Sequence, residues 1–179
     1  MQKQQENSLS TPDRQHDDLQ RWGPGKTVGI IGGMGQMGEL FARFFEAQGY
    51  RVVVADPRSD RSNRELMGLS DMVLFAVPLH QTVNIIREVI GDARPEQLLM
   101  DLSSLKVEPI QAMLRSPSSV VGLHPMFGGS ISSFAGQTMV ACPVRIESSH
   151  WKGLRGLFER QGMRIKECTP EKHDHMMSI

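Results

Sequence analysis

Gly33-Met34-Gly35-Gln36-Met37-Gly38 spells GxGxxG, and a carboxylate, Asp56, stands about 20 residues further on. Glycines at those positions permit a tight turn (Gly33), let backbone amides approach a pyrophosphate (Gly35) and let a helix pack closely on a strand (Gly38). Gln36 and Met37 open that helix, whose unpaired N–H groups and positive dipole end suit phosphates. Asp56 is placed to accept hydrogen bonds from an adenosine ribose and to repel a 2′-phosphate, so NAD is the expected cofactor and NADP the less favoured one. Arg58 and Arg61 work against that preference, since either can pair with a phosphate. Further on, Val77-Pro78-Leu79-His80, Asp101-Leu102-Ser103-Ser104-Leu105-Lys106 and His124-Pro125-Met126-Phe127-Gly128 offer polar groups. Histidine takes up a proton around neutral pH, and an alcohol carbon that gives up hydride needs such a base. His124 is the candidate. It also fits a purely structural role at a strand end, Ser103 and Ser104 fit helix capping, and His80 reads as a loop residue. No GxSxG nucleophile elbow accompanies the serine–histidine combination, which argues against acyl transfer.

These groups need a scaffold that gathers them, and the apolar pattern supplies one. Thr27 to Ile31 is β-branched and apolar, like a buried parallel strand. Met37, Leu40, Phe41, Phe44 and Phe45 then mark one face of a helix that Gly49 closes. Val52 to Ala55 predicts a second strand ending at Asp56. Met72 to Val77, Leu98 to Met100, Val120 to Leu123, Met139 to Cys142 and Met163 to Glu167 predict five more. Helices are expected around Val83, Ile86 and Ile90, over Val107 to Leu114 with Pro109 in the first turn, and around Leu154, Leu157 and Phe158. Strands alternating with helices imply βαβ units: an α/β, Rossmann-type, doubly wound, mostly parallel sheet with helices on both faces. In such a sheet ligands bind beyond the carboxyl ends of the strands, where Val77, Pro78, Ser104 and His124 all fall.

Residues 1–25 read as a flexible polar tail, 26–168 as the dinucleotide-binding domain and 169–179 as a helix start. Thr169-Pro170-Glu171 carries a hydroxyl N-cap, a proline at the first helical position and an acid for the helix dipole. His173, Met176 and Met177 are expected to share one face of that helix, which is expected to lead into a further helical domain. The chain has 179 residues with 20 Lys plus Arg against 20 Asp plus Glu, so no global field favours nucleic acid or an anionic membrane. No apolar run approaches the ~20 residues of a membrane span, and the first residues lack the apolar core of a signal peptide. The two cysteines, Cys142 and Cys168, form neither a metal spacing nor a disulfide framework. A reducing cytoplasm, a small-molecule substrate and no metal are the expectations.

From Lys26 to the last residue the chain resembles prephenate dehydrogenase, nearest to the dehydrogenase part of the bifunctional chorismate mutase–prephenate dehydrogenases. The likeness rests on Gly32 to Gly38, Val77-Pro78-Leu79-His80, the DLSSLK segment from Asp101, the GLHPMFG segment from Gly122, and His173-Asp174. DLSSLK and GLHPMFG are its specific parts. The resemblance implies NAD-dependent oxidative decarboxylation of prephenate to 4-hydroxyphenylpyruvate in tyrosine biosynthesis. It implies that His124 accepts the ring hydroxyl's proton, that Ser104 hydrogen-bonds and orients His124, and that His173 helps shape the site without carrying a proton. It also implies a helical domain after residue 179 that forms a homodimer and supplies the arginine for the substrate carboxylate. Arogenate as the substrate, and a non-catalytic NAD-binding remnant, stand as alternatives. Another Rossmann reductase accounts for the glycine loop but not for GLHPMFG.

Overall fold

The computed structural model describes residues 21–178; residues 1–20 of the expected tail and Ile179 lie outside the described residues. Within them, one seven-stranded sheet has the order β2-β1-β3-β4-β5-β6-β7. The strands are β1 (Thr27–Ile31), β2 (Arg51–Ala55), β3 (Met72–Phe75), β4 (Leu98–Asp101), β5 (Ser119–Pro125), β6 (Thr138–Arg145) and β7 (Arg164–Glu167). The helices are α1 (Gln36–Ala47), α2 (Asn63–Leu69), α3 (Leu79–Val89), α4 (Val107–Met113), α5 (Ser148–Glu159) and α6 (Pro170–Met177).

β1 to β5 pair in parallel, β6 runs antiparallel to β5, and β7 is parallel to β6. Alternate residues of the central strands feed two apolar layers, as their period of two demands. Val28, Ile30, Leu74 and Met100 pack with Phe41, Phe44 and Phe45 of α1 and Leu154, Leu157 and Phe158 of α5. Ile31, Val73, Phe75 and Leu99 pack on the other side with Leu66 and Met67 of α2, Ile86 of α3 and Ile110 of α4. The expected doubly wound, mostly parallel sheet is therefore the observed one.

Three details differ from the sequence reading. The domain begins earlier than Lys26: Trp22 is buried, its indole N–H donates to the Glu96 carbonyl, and its own carbonyl accepts from the Tyr50 hydroxyl at 2.8 Å. Burying a large ring and satisfying its N–H outweighs the ordering cost of that short segment. A helix over Asn63–Leu69 goes unpredicted; a reciprocal capping box between Ser62 and Glu65 starts it. Finally, His173 of α6 is fully buried while Met176 and Met177 are exposed, so the three residues do not share an environment.

Candidate active site

The glycine loop follows β1 at its carboxyl end. Gly32, not Gly33, adopts the left-handed conformation, with φ of +81°. A Cβ there would also meet the Ala76 carbonyl oxygen at 2.6 Å. The tight turn therefore sits one residue earlier than expected, and Gly33 instead makes room for Val54, whose Cγ1 would lie 2.5 Å from an added Cβ. Gly38 presses α1 onto the loop, where a Cβ would stand 2.6 Å from the Gly33 Cα. Gly35 differs from both. An added Cβ meets only the Gly32 carbonyl oxygen, at an ordinary 3.5 Å, so this glycine leaves its outer face open. Gly35 is also the N-cap of α1 and brings no side-chain hydrogen bond to the helix amides. Those donors and the helix dipole are available to an anion.

A cleft of about 820 Å³ opens beside this loop, lined by Gly32, Gly35, Asp56, Arg58, Val77 and Pro78 among others. Its size is that of a small-molecule or cofactor site. Asp56 lies just past β2, and its Oδ1 accepts from the Arg58 side-chain Nε at 2.9 Å and from the Arg58 amide at 3.1 Å. The Arg58 guanidinium also donates to the Met34 carbonyl at 2.7 Å. Arg58 thus ties the end of β2 to the glycine loop, and its hydrogen bond holds the Asp56 carboxyl below its usual range. Arg61 also lines the cleft and donates to the Val54 carbonyl. Gln36 and Met37 begin α1 as expected. The loop after β5 rests on them: a Cβ on Gly129 would stand 2.7 Å from the Gln36 Cβ. Nothing in the sequence reading singled out Gly129; it directly follows the glycine that closes GLHPMFG.

Because β5 runs parallel to β4, its carboxyl end, with His124, lies at the same end of the sheet as the glycine loop. His124 is half-buried, and its Nδ1 lies 2.9 Å from the Nε2 of His173. The Nδ1 of His173 lies 2.7 Å from the Oδ1 of Asp174. Asp174 in turn accepts the backbone N–H groups of Lys106 at 2.7 Å and Val107 at 2.9 Å, at the start of α4. The expected contact between Ser104 and His124 is not made. Ser104 is exposed and is not hydrogen-bonded to the imidazole. Its neighbour Ser103 is the buried serine, bonded to Asp101 and to the Leu105 carbonyl. The DLSSLK segment turns inward at Ser103 and Lys106, which leaves Ser104 pointing outward.

Lys106 is the other residue that sequence reasoning left without a role. It is fully buried; its Nζ donates to Asp101 Oδ2 at 2.5 Å and to the Leu123 carbonyl at 2.8 Å. Gly122 makes room for its stem: a Cβ there would lie 3.0 Å from the Lys106 Cδ. Burial pushes the His124 pKa down to about 4, and the neighbouring His173 and Lys106 add to that shift. An imidazole so placed is neutral through the physiological range and available as a base. Among the described residues no group of His, Cys, Asp and Glu is arranged to hold a metal ion, and no helix is long and apolar enough to cross a membrane.

A stability prediction follows from the His124 shift. Its folded pKa, about 4, lies below the ordinary 6.5. Between those values the unfolded chain binds more protons than the folded one, so stability falls as pH drops from 6.5 toward 4. At about 1.4 kcal/mol per pH unit, discounted for partial exposure, the loss is roughly 2 kcal/mol. His124→Gln should remove that part of the slope in urea titrations run across the window. An unchanged slope would contradict the assignment.

The comparisons with known proteins agree with this geometry. Residues 42–167 match the family model described as prephenate dehydrogenase, nucleotide-binding domain. The chain belongs to that family. The T-protein of Haemophilus influenzae is 35% identical over 151 residues, which cover 83% of this chain and 40% of that protein. The probable arogenate/prephenate dehydrogenase of Methanocaldococcus jannaschii is 30% identical over 172 residues, covering 86% and 39%. The chain thus spans about 40% of the length of these curated relatives. Among solved structures, Synechocystis arogenate dehydrogenase superposes with a TM-score of 0.73 at 18% identity, covering 85% of this chain and 63% of that one. A. aeolicus prephenate dehydrogenase in complex with hydroxyphenyl propionate and NAD+ superposes with a TM-score of 0.69 at 18% identity, covering 86% and 63%. These two likenesses show the shared fold.

Proposed function

We propose that this chain is the NAD-binding part of a cytoplasmic prephenate dehydrogenase, which oxidatively decarboxylates prephenate to 4-hydroxyphenylpyruvate in tyrosine biosynthesis. The observation that carries the reading is the convergence of the glycine loop and a neutral His124 on one edge of the sheet, in a chain of this family. The backbone around Gly33, Gly35 and Gly38, with Gln36 and Met37 at the start of α1, would hold the pyrophosphate. Asp56 would take the adenosine ribose, with Val77 and Pro78 walling the cleft. The open face of Gly35 and the uncapped amides of α1 fit such a group. NAD, when bound, is the hydride acceptor. His124 accepts the proton of the ring hydroxyl at Nε2. The carboxylate-binding arginine is proposed to come from a helical domain beyond residue 179, through which a homodimer would form.

The test is a steady-state assay of the chain together with a helical domain, given NAD and either prephenate or arogenate. Prephenate should yield NADH and carbon dioxide with the higher kcat/KM. Higher kcat/KM with arogenate would move the substrate assignment to the amino acid. Binding of NAD with no NADH from either substrate would favour a non-catalytic NAD-binding module.

Cofactor preference gives a further prediction. NAD should raise the melting temperature of the chain more than NADP does, because a ligand of the folded state stabilises it by an amount that grows with the logarithm of its affinity. Arg58 is the cation that tempers this preference by pairing with Asp56. Arg58→Ala should widen the NAD-over-NADP margin by roughly tenfold, since it removes a charge-assisted partner for a 2′-phosphate and bares the Asp56 carboxylate. A variant that gains NADP affinity would contradict this role.

A further inference from the structure

Asp174, His173 and His124 form one hydrogen-bonded line that joins the start of α6 to the carboxyl end of β5. With both imidazoles neutral, the partners along this line assign its protons. Asp174 has two amides donating to it, so it is an ionised acceptor, and the hydrogen on the third contact must belong to His173 Nδ1. A neutral His173 then has a lone pair at Nε2, so the hydrogen between the two rings belongs to His124 Nδ1. His124 Nε2 is left with its lone pair free.

We propose that His173 and Asp174 are a proton relay for His124, not only a clasp that shapes the site. His124 receives a proton at Nε2 and, as that N–H bond forms, gives its Nδ1 proton to His173 Nε2. The outcome is a neutral His124 protonated at Nε2 and a His173 imidazolium against the Asp174 carboxylate. No electrons are exchanged, and one proton has moved across two rings. The assignment rests on the reading of His124 as the base of the proposed reaction.

Several features favour this route. A positive charge on His124 is opposed by burial and by Lys106, and is favoured by the more distant Asp174. A charge on His173 lies directly against that carboxylate, 2.7 Å away. Burial works against ionisation of Asp174, yet its bonds from His173 and from the Val107 and Lys106 amides outweigh burial and keep the carboxyl low. The Asp174 side chain is 22% exposed while that of His173 is fully buried, so the proton has an exit to water at the far end of the line. The Asp101–Lys106 pair faces the same region but lacks a hydrogen bond to either ring, so it biases the line without belonging to it. His173 and Asp174 are thus positioning residues that act through His124.

Long-range proton–nitrogen NMR of the whole chain, labelled with ¹⁵N-histidine and free of substrate, tests the line independently of turnover. His124 and His173 should both be protonated at Nδ1 near neutral pH. His124 protonated at Nε2 would overturn the relay even if the assay with prephenate succeeds. His173→Gln separates relaying from positioning. Its side-chain oxygen can still accept from His124 Nδ1 but cannot take the proton. The variant should keep the His124 tautomer while kcat in the complemented protein falls roughly 10- to 100-fold at unchanged KM for NAD. Unchanged kcat with the tautomer preserved would reduce His173 to a clasp. Asp174→Asn is the second variant: its amide oxygen still accepts from His173 and the Lys106 N–H while the bond from the Val107 N–H is lost, and kcat should again fall with both tautomers intact. If kcat holds, the carboxylate has no part in the relay.

Discussion

His124→Asn should lower turnover of the complemented protein by about 10²–10⁴-fold, the usual contribution of a general base. Asparagine keeps a polar side chain near His173 but has no basic nitrogen at the position of Nε2. NAD affinity should barely change, because His124 belongs to the end of β5 and not to the loop after β1. Wild-type activity should hold to lower pH than an ordinary histidine allows. The ring must be neutral to accept a proton, and its pKa lies near 4 instead of 6.5. An acid limb near pH 6.5 that vanishes in His124→Asn would contradict that placement. Loss of folding or of NAD binding, with no selective effect on turnover, would show that this histidine serves the strand end alone.

The second large effect is expected at Lys106. Lys106→Met removes the ammonium from Asp101 and leaves a carboxylate with no exposure and no counter-charge. Breaking a buried pair from one side costs about 3–5 kcal/mol, whereas replacing both partners with apolar groups is often neutral. Lys106→Met should therefore lower the urea midpoint sharply, and adding Asp101→Leu should recover most of the loss. The same substitution should raise the pKa of His124, since Lys106 is one of the charges holding it down. A single variant as stable as the wild type would show that the pair adds little.

What could be read in the sequence was local. Phe41, Phe44 and Phe45 repeat at helical spacing over one long helix, and β1 is a short β-branched, mostly apolar run buried throughout, so both were legible. The helix over Asn63–Leu69 has only seven residues, of which Leu66 and Met67 are the buried ones, too few to set a period; its Ser62–Glu65 capping box was the available signal. The direction of β6 was hidden because a strand buried on both faces has the same composition whichever way it runs. The glycine loop was recognisable by motif, but the single residue carrying positive φ, Gly32, follows from how the loop meets Ala76 and Val77. At the carboxyl end of β5 the candidate residue was legible and its partners were not. His124 meets His173 across 49 positions, and Lys106 meets Asp174 across 68. Such pairings depend on how α6 returns to the sheet, which no local pattern encodes. Ser104, expected beside His124, is instead turned outward by the burial of Ser103 and Lys106 on either side.

The central claim is that the loop from Gly32 to Gly38 binds a dinucleotide, and calorimetric titration of NAD into this chain tests it most directly. Gly35→Val is the informative variant. A Cβ at Gly35 meets only an ordinary contact, so the fold should tolerate the side chain, yet it would occupy the face that a pyrophosphate must approach. Wild-type chain should bind one NAD per molecule. Gly35→Val should melt within a few degrees of the wild type without cofactor and bind NAD about 100-fold more weakly, the loss of roughly two charge-assisted hydrogen bonds. Equal affinity in the two proteins would contradict the claim, as would a correctly folded wild type that takes up no NAD.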